Sequence, residues 1–380
     1  MGFVHDCRVC GGPLYETPLL CFENMPAMAQ NFPDDSQLAQ DHGQDLTVCQ
    51  CSLCGLVQLD CPPVPYYKEV IRAAAFSEEM RGFRREQFAD FVSTHELQGK
   101  KVLEVGCGKG EYLELMQEQG VQAHGIEGGL EVVQASQSKP YHMRHDFLEK
   151  ADQTLSDGPY DAFFMLNYLE HLPNPNETLR AIAHNLYPGA VGLVEVPNFD
   201  MIIRAGLFSE FINDHLFYFT KETLSDLLTR NGFELLDCSE VWHDYCLSAV
   251  VKKRQPSDLS HLKKIEANIK KNISDFLEPY ASDEVALWGA GHQALANISL
   301  LKLQEHIAYV VDSAPFKQNK YTPATHVPIV PPDRLREHPV KAVIVMAASY
   351  SDEVASLLRR DYSREIEVAI LREHGLERVE

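Results

Sequence analysis

Hydrophobic and polar positions change period along this chain, and each change marks an element. Over residues 78–96, Phe83, Phe88, Phe91 and Val92 fall on related faces of a helix. Residues 101–105 then form a short apolar run of strand length, followed by glycines and a second helical stretch over 111–120. Residues 121–126, 160–166 and 186–197 repeat the strand pattern, and another helix starts near Thr220. This βα succession predicts an α/β fold with a doubly wound sheet that binds ligands at the carboxyl ends of its strands.

A similar plan returns later in the chain. Residues 257–280 carry Leu259, Leu262, Ile265, Ile269, Ile273 and Phe276 at helical spacing, a stripe suited to packing. Strand-like runs at 284–288, 308–312 and 342–346 follow, the first of them entering Gly289-Ala-Gly291. The patterning therefore predicts a second Rossmann-like unit over 255–380, behind a central unit over 71–254 and a cysteine-bearing module over 1–70.

Composition adds exclusions. A length of 380 residues suits two or three domains. A formal charge of −21 argues against a nucleic-acid groove or an anionic membrane as partner, because phosphate binding needs clustered Lys and Arg. With no basic-then-apolar leader and no apolar run near membrane-spanning length, a cytoplasmic protein is the expectation.

Of ten cysteines, seven precede residue 62. Cys7-Arg-Val-Cys10 and Cys51-Ser-Leu-Cys54 are each followed by glycine, the pattern of two zinc knuckles. Together they would complete a closed, structural four-thiolate Zn2+ site that leaves no position for water. Cys49 keeps the ligand choice open, and Cys21 and Cys61 read as spare thiols.

The glycine loop Gly106-Cys-Gly108-Lys-Gly110 carries the candidate chemistry of the central unit. Glycines are needed where backbone bends sharply against a ligand. Glu104 precedes the loop, and Glu127 ends the next strand, where an acid can accept both ribose hydroxyl hydrogens. Asp146 and Phe147 offer a carboxylate and a ring for an adenine edge and face. The loop resembles the E/D-x-G-x-G-x-G motif of class I methyltransferases, which implies S-adenosylmethionine as cofactor. Three further clusters could meet over its methyl group: Tyr66-Tyr67, Glu170-His171, and residues 213–220. Loops at strand ends suit catalytic groups, and imidazole titrates near neutrality, which singles out His171 and His215.

Taken together, nearly the whole chain resembles the deoxysugar C-methyltransferases, which methylate nucleotide-linked keto-sugars. Their zinc motif C-x-x-C-G-L-V-Q appears as residues 51–58, and their Y-x-E-H-x-x-Y-F segment falls on residues 212–219. Here Ile212 stands for the tyrosine and Asp214 for the glutamate, and Lys68-Glu69 replace the serines that follow the tyrosine pair. The resemblance implies that His215 removes a proton α to a ketone, that His171 donates a hydrogen bond to the enolate, and that Asp214 orients His215. Tyr66 joins them as a weaker candidate. Residues 312–317 and 320–323 resemble the family's D-x-x-P-x-K and K-x-T-P stretches, in a domain that helps hold the substrate, although His292 departs from its usual lysine. Three other readings stay open: an O-methyltransferase, an NAD(P)-dependent oxidoreductase using the Gly289–Gly291 turn, and a zinc scaffold that senses adenosylmethionine.

Overall fold

The computed structural model describes residues 6–29, 32–68 and 77–379. The boundary expected at 70/71, and Glu69 of the departing Lys68-Glu69 pair, lie outside those residues. By internal contact the chain divides into two compact units, Met1–Pro256 and Ser257–Glu380.

The first unit begins with β1 (Leu20–Met25), β2 (Gln44–Gln50) and β3 (Val57–Leu59). Then come α1 (Glu78–Thr94), β4 (Lys101–Val105), α2 (Glu111–Glu118), β5 (Gln122–Glu127), α3 (Leu130–Ala135) and β6 (His142–His145). After β7 (Tyr160–Leu166), α4 (Pro175–His184), β8 (Leu186–Pro197) and α5 (Phe199–Ala205), a two-residue β9 (Phe217–Tyr218) precedes α6 (Lys221–Arg230). An antiparallel pair, β10 (Phe233–Val241) and β11 (Cys246–Lys253), ends the unit.

The large sheet has the order β10-β11-β8-β7-β4-β5-β6, and its run from β8 to β6 is parallel. This is the Rossmann-like sheet expected of a class I methyltransferase. Period-two alternation buries both faces: Leu103, Val105, Phe163 and Met165 join one apolar cluster, while Val102, Ala162 and Phe164 join the other with Phe88 and Phe91 of α1. The strand order reverses between β4 and β7. Ligand crevices form at such a switch point, and here it is flanked by the glycine loop and by residues 167–171.

The cysteine-bearing residues are not a bead on a string. Their small sheet, β1-β2-β3, takes β9 as its fourth strand, with Val57 opposite Tyr218 and Gln58 opposite Phe217. Val48, Val57 and Leu59 share one apolar cluster with Val194, Phe217 and Leu224. A segment of the central α/β unit thus completes the sheet of the N-terminal module.

The second unit comprises α7 (Ser260–Leu277), β12 (Val285–Trp288), α8 (His292–Leu300), β13 (Tyr309–Val311), β14 (Lys320–Tyr321), β15 (Pro328–Val330), α9 (Arg334–Glu337), β16 (Ala342–Val345), α10 (Ser351–Asp361), β17 (Glu367–Arg372) and β18 (Gly375–Val379). They form one sheet, β14-β15-β13-β12-β16-β17-β18, parallel from β15 to β17. The α7 stripe packs through Ile273, Phe276 and Leu277, whereas Leu259, Leu262 and Ile265 stay exposed.

Among the described residues, no helix is long and apolar enough to cross a membrane.

Candidate active site

At the end of β4 the loop turns through Gly106 (φ 74°), Gly108 (φ 50°) and Gly110 (φ 82°). This left-handed region favours glycine, and contacts enforce it at two positions. A Cβ on Gly106 would sit 2.5 Å from the Tyr168 ring, and one on Gly110 would sit 2.5 Å from the Tyr141 hydroxyl. Glu127 ends β5 beneath the loop and accepts from Gly108 N at 2.9 Å and Gly129 N at 3.0 Å. Its carboxylate thus fixes the loop and already stands where two N–H donors converge, a geometry that two ribose hydroxyls can use. Glu104 is buried at the end of β4. Burial, and then nearby carboxylates that include Glu104, push the Tyr141 hydroxyl up to about 12. An acidic surround suits a sulfonium ligand.

Asp146 and Phe147 follow β6. The carboxylate of Asp146 accepts from its neighbour Phe147 N and from Gln153 Nε2, both at 2.9 Å. A strap from the cysteine-bearing module crosses this side. The Tyr67 ring meets Phe147 edge-on at 5.7 Å, and Lys68 lies 5.0 Å over the Phe147 ring while pairing with Glu149. Buried Tyr168, under the loop, donates to Lys68 O at 3.0 Å. The sequence pattern singled out neither Tyr168 nor Lys68 for this closure.

Across the switch point, residues 169–171 form a single 3-10 turn after β7 that buries Glu170 and His171. His171 Nδ1 lies 2.7 Å from the Asp214 carbonyl. A carbonyl can only accept, so Nδ1 carries the proton and Nε2 bears the lone pair of the neutral ring. In that tautomer the ring's one N–H is engaged by the Asp214 carbonyl. His215 packs edge-on against His171, ring centres 4.8 Å apart. Burial, and then His171, hold His215 well below the ordinary histidine range, and burial lowers His171 too. Both shifts favour the neutral imidazole.

The Asp214 carboxylate accepts from Tyr66 Oη at 3.0 Å and 3.1 Å and from Ala29 N at 3.3 Å and 3.2 Å. Its charge favours the protonated form of His171. Asp214 therefore ties its loop to the cysteine-bearing module. Tyr66 is the other end of that tie. Asn213 reinforces it, donating to Ala27 O at 2.6 Å and accepting from Gln44 Nε2 at 2.8 Å.

A buried ion pair was not foreseen. Arg84 of α1 lies 2.5 Å from Glu195 of β8, and both side chains are fully buried. Gln87 bridges them, accepting from Arg84 at 2.7 Å and donating to Glu195. The Arg84 guanidinium also lies 5.3 Å from the Tyr112 ring, in the first turn of α2. The pair fixes α1 against the sheet near the glycine loop.

The four knuckle cysteines meet. Cys7 and Cys54 sulfurs are 3.6 Å apart, those of Cys10 and Cys51 are 3.4 Å apart, and all four lie within 4.8 Å of one another. Tetrahedral Zn–S bonds place sulfurs about 3.8 Å apart, so the donor set fits zinc. Backbone N–H groups of Cys10, Gly12, Leu53 and Cys54 point at the sulfurs over 3.3–3.5 Å. Such donors stabilise thiolates. Cys49 lies outside this cluster, facing Gln58 across β2 and β3.

Residues 78–237 match the family described as Methyltransferase domain, and residues 252–368 match the family described as C-methyltransferase C-terminal domain. The chain is thus similar to methyltransferase domains over its central residues and to a C-methyltransferase C-terminal domain beyond them. Curated relatives include the ubiquinone biosynthesis O-methyltransferase of Erwinia tasmaniensis, 32% identical over 107 residues that make up 26% of this chain and 44% of that protein. The protein of that name from Escherichia coli strain K12 / DH10B is 33% identical over 24% of this chain and 40% of its own length. The chain thus spans less than half the length of these relatives. Among solved structures, the plantazolicin methyltransferase BpumL aligns over 47% of this chain and 87% of its own, at 17% identity and a TM-score of 0.38.

Proposed function

We propose that the protein is an S-adenosylmethionine-dependent C-methyltransferase acting on a carbon next to a carbonyl, with a nucleotide-linked keto-deoxysugar as its acceptor. One observation carries the choice of carbon over oxygen: the match of residues 252–368 to a C-methyltransferase domain that lies outside the methyltransferase core. The O-methyltransferase relatives cover about a quarter of the chain.

In this reading Gly106–Gly110 and Glu127 hold the cofactor's ribose and methionine portions, with Glu104 beneath. Asp146 and Phe147 flank its adenine, and Tyr67 and Lys68 close that side. Bound adenosylmethionine supplies an electrophilic methyl on sulfur. His215, neutral and half-buried, takes the proton α to the acceptor's carbonyl, and the electron pair left on carbon attacks the methyl. His171 shapes the wall behind His215, while Tyr66 and Asp214 keep the loop in place. Positioning supplies much of the acceleration, as in other reactions between two held partners. The four cysteines hold a structural Zn2+.

An NAD-binding role for the second unit is less well supported. Asp312, the acid such a turn would offer to a ribose, is paired with Lys317 Nζ at 2.9 Å, and residues 252–368 match a C-methyltransferase C-terminal domain instead.

The reading is tested by turnover with adenosylmethionine carrying a 13C methyl and a nucleoside-diphosphate-linked 4-keto-6-deoxyhexose. The label should appear on a ring carbon in the product's NMR spectrum; a methyl on oxygen would overturn it. Glu127→Ala should weaken adenosylmethionine binding by about 10–100-fold, the loss of one or two charge-assisted hydrogen bonds. Calorimetric titration checks this, and unchanged affinity would remove Glu127 from the cofactor site.

A further inference from the structure

Behind the proposed base lies a group that the scheme above leaves unused. The Glu170 side chain is 1% exposed, and neither of its carboxyl oxygens has a side-chain hydrogen-bond partner among the described residues. Buried carboxyls are ordinarily bonded, so an isolated one beside a reaction centre asks for a role. Oε1 lies 3.9 Å from His171 Nε2, and one donor atom each from Glu170, His171 and His215 lie within 4.8 Å of one another. The titratable groups facing Glu170 are these two imidazoles, the Tyr245 hydroxyl and the Cys246 thiol, the last two at the entrance to β11.

We propose that Glu170 is the proton-holding residue behind His215, receiving through that imidazole the proton taken from the substrate carbon. The inference rests on the C-methylation reading. The C–H bond breaks and its electron pair stays on carbon. The proton enters one ring nitrogen of His215, and the proton on the other nitrogen passes to the Glu170 carboxylate. His215 ends neutral in the opposite tautomer, Glu170 ends as the acid, and its proton later returns to water. Catalytic hydrogen bonds that are long without ligand close in the complex, which suits the spacing here. Burial disfavours a second proton on His171, whose Nδ1–H is committed to the Asp214 carbonyl.

Proton affinities run the same way. Burial pushes Glu170 up to about 8, whereas burial and His171 hold His215 well below the usual histidine range. A proton shared by the pair therefore rests on Glu170. The competent resting state has Glu170 ionised, so turnover should climb with pH up to about 8 and then level.

Glu170→Gln tests this, assayed with adenosylmethionine and the nucleoside-diphosphate-linked 4-keto-6-deoxyhexose. Its rate deficit should grow by about tenfold or more between roughly pH 6 and roughly pH 8.5, and Glu170→Asp should restore the pH-dependent limb. A deficit equal at every pH would mean a purely structural role and would overturn the proposal. A readout free of acceptor is the infrared band of a protonated buried carboxyl. It should titrate near pH 8 in the native protein and be missing from Glu170→Gln; titration in the ordinary carboxylate range would overturn the proposal. So would a metal ion bound to the wild type and lost in the Gln variant while the cysteine site stays filled. Failure of the two readings separates cleanly. If His215→Ala still turns over, the base assignment itself is wrong. If His215→Ala is inactive and the Gln variant runs parallel to wild type in pH, only Glu170's role is wrong.

Discussion

Replacing His215 with alanine is expected to cut methyl turnover by about 100-fold or more while adenosylmethionine binds as before, the signature of a lost general base. The two effects separate because different elements carry them. The proposed cofactor groups sit on the loops after β4, β5 and β6, whereas His215 sits in the segment entering β9. Removal of the ring leaves the Asp214 carbonyl on His171 and the Asp214 carboxylate on Tyr66, so the loop keeps its anchors. Asparagine fills more of the space and still cannot accept the proton, so His215→Asn should fall by a similar factor. The ionisation of His215 lies well below its ordinary value, and the base is active when neutral. Acid should therefore inhibit through His215 only well below neutrality. Initial rates at saturating donor and acceptor, with calorimetric affinity for the donor, provide the check. Near-native turnover in either variant would remove His215 as the base.

Much of this site was legible in the chain because its signals are local. A strand, three glycines and an acid at the next strand end lie within residues 101–127, and each has a backbone reason to be where it is. The Cys-x-x-Cys-Gly pairs are equally local, and their turns bring N–H groups onto the sulfurs. What sequence pattern could not convey are contacts between distant segments. The tie from Asp214 to Tyr66 and Ala29 spans more than 140 residues, and the pairing of β3 with β9 has no periodic signature. Hence a motif match by position singles out Asp214 and His171 without conveying the hydrogen bonds they make. Arg84 did leave a signal that went unused. It precedes Phe88 by one helical turn and Phe91 by two, so a charged side chain occupies the buried face of α1, where only a partner such as Glu195 makes it tolerable. Glu170 shows the opposite limit. Its neighbour in sequence drew attention as a catalytic histidine, but only the fold shows that the carboxyl itself is sealed from water.

Stripping the zinc proposed at the four cysteines, or replacing Cys51 with serine, is expected to abolish turnover even though none of those four sulfurs belongs to the proposed reaction centre. Structural Zn2+ contributes on the order of 10 kcal/mol to folding of small modules, comparable to the whole stability of a typical domain. Without it the knuckles at Cys7–Cys10 and Cys51–Cys54 lose their common anchor, and β3 starts three residues beyond Cys54. That strand is bound to the catalytic segment: Leu59 N donates to Leu216 O at 3.0 Å, next to His215, and Val57 and Gln58 pair with Tyr218 and Phe217. The Gln58 side chain turns the other way, accepting from Arg8 N at 3.0 Å beside Cys7. The knuckle therefore reaches His215 through one strand and one residue. Adenosylmethionine affinity should fall much less than turnover, since Gly106–Gly110 and Glu127 belong to the large sheet. Metal analysis should give one zinc per native chain and almost none for Cys51→Ser, with loss of turnover of about 100-fold or more and the β/α core still folded by circular dichroism. Full activity in a metal-free, folded Cys51→Ser protein would show that the cysteine cluster does not hold the catalytic loop in place.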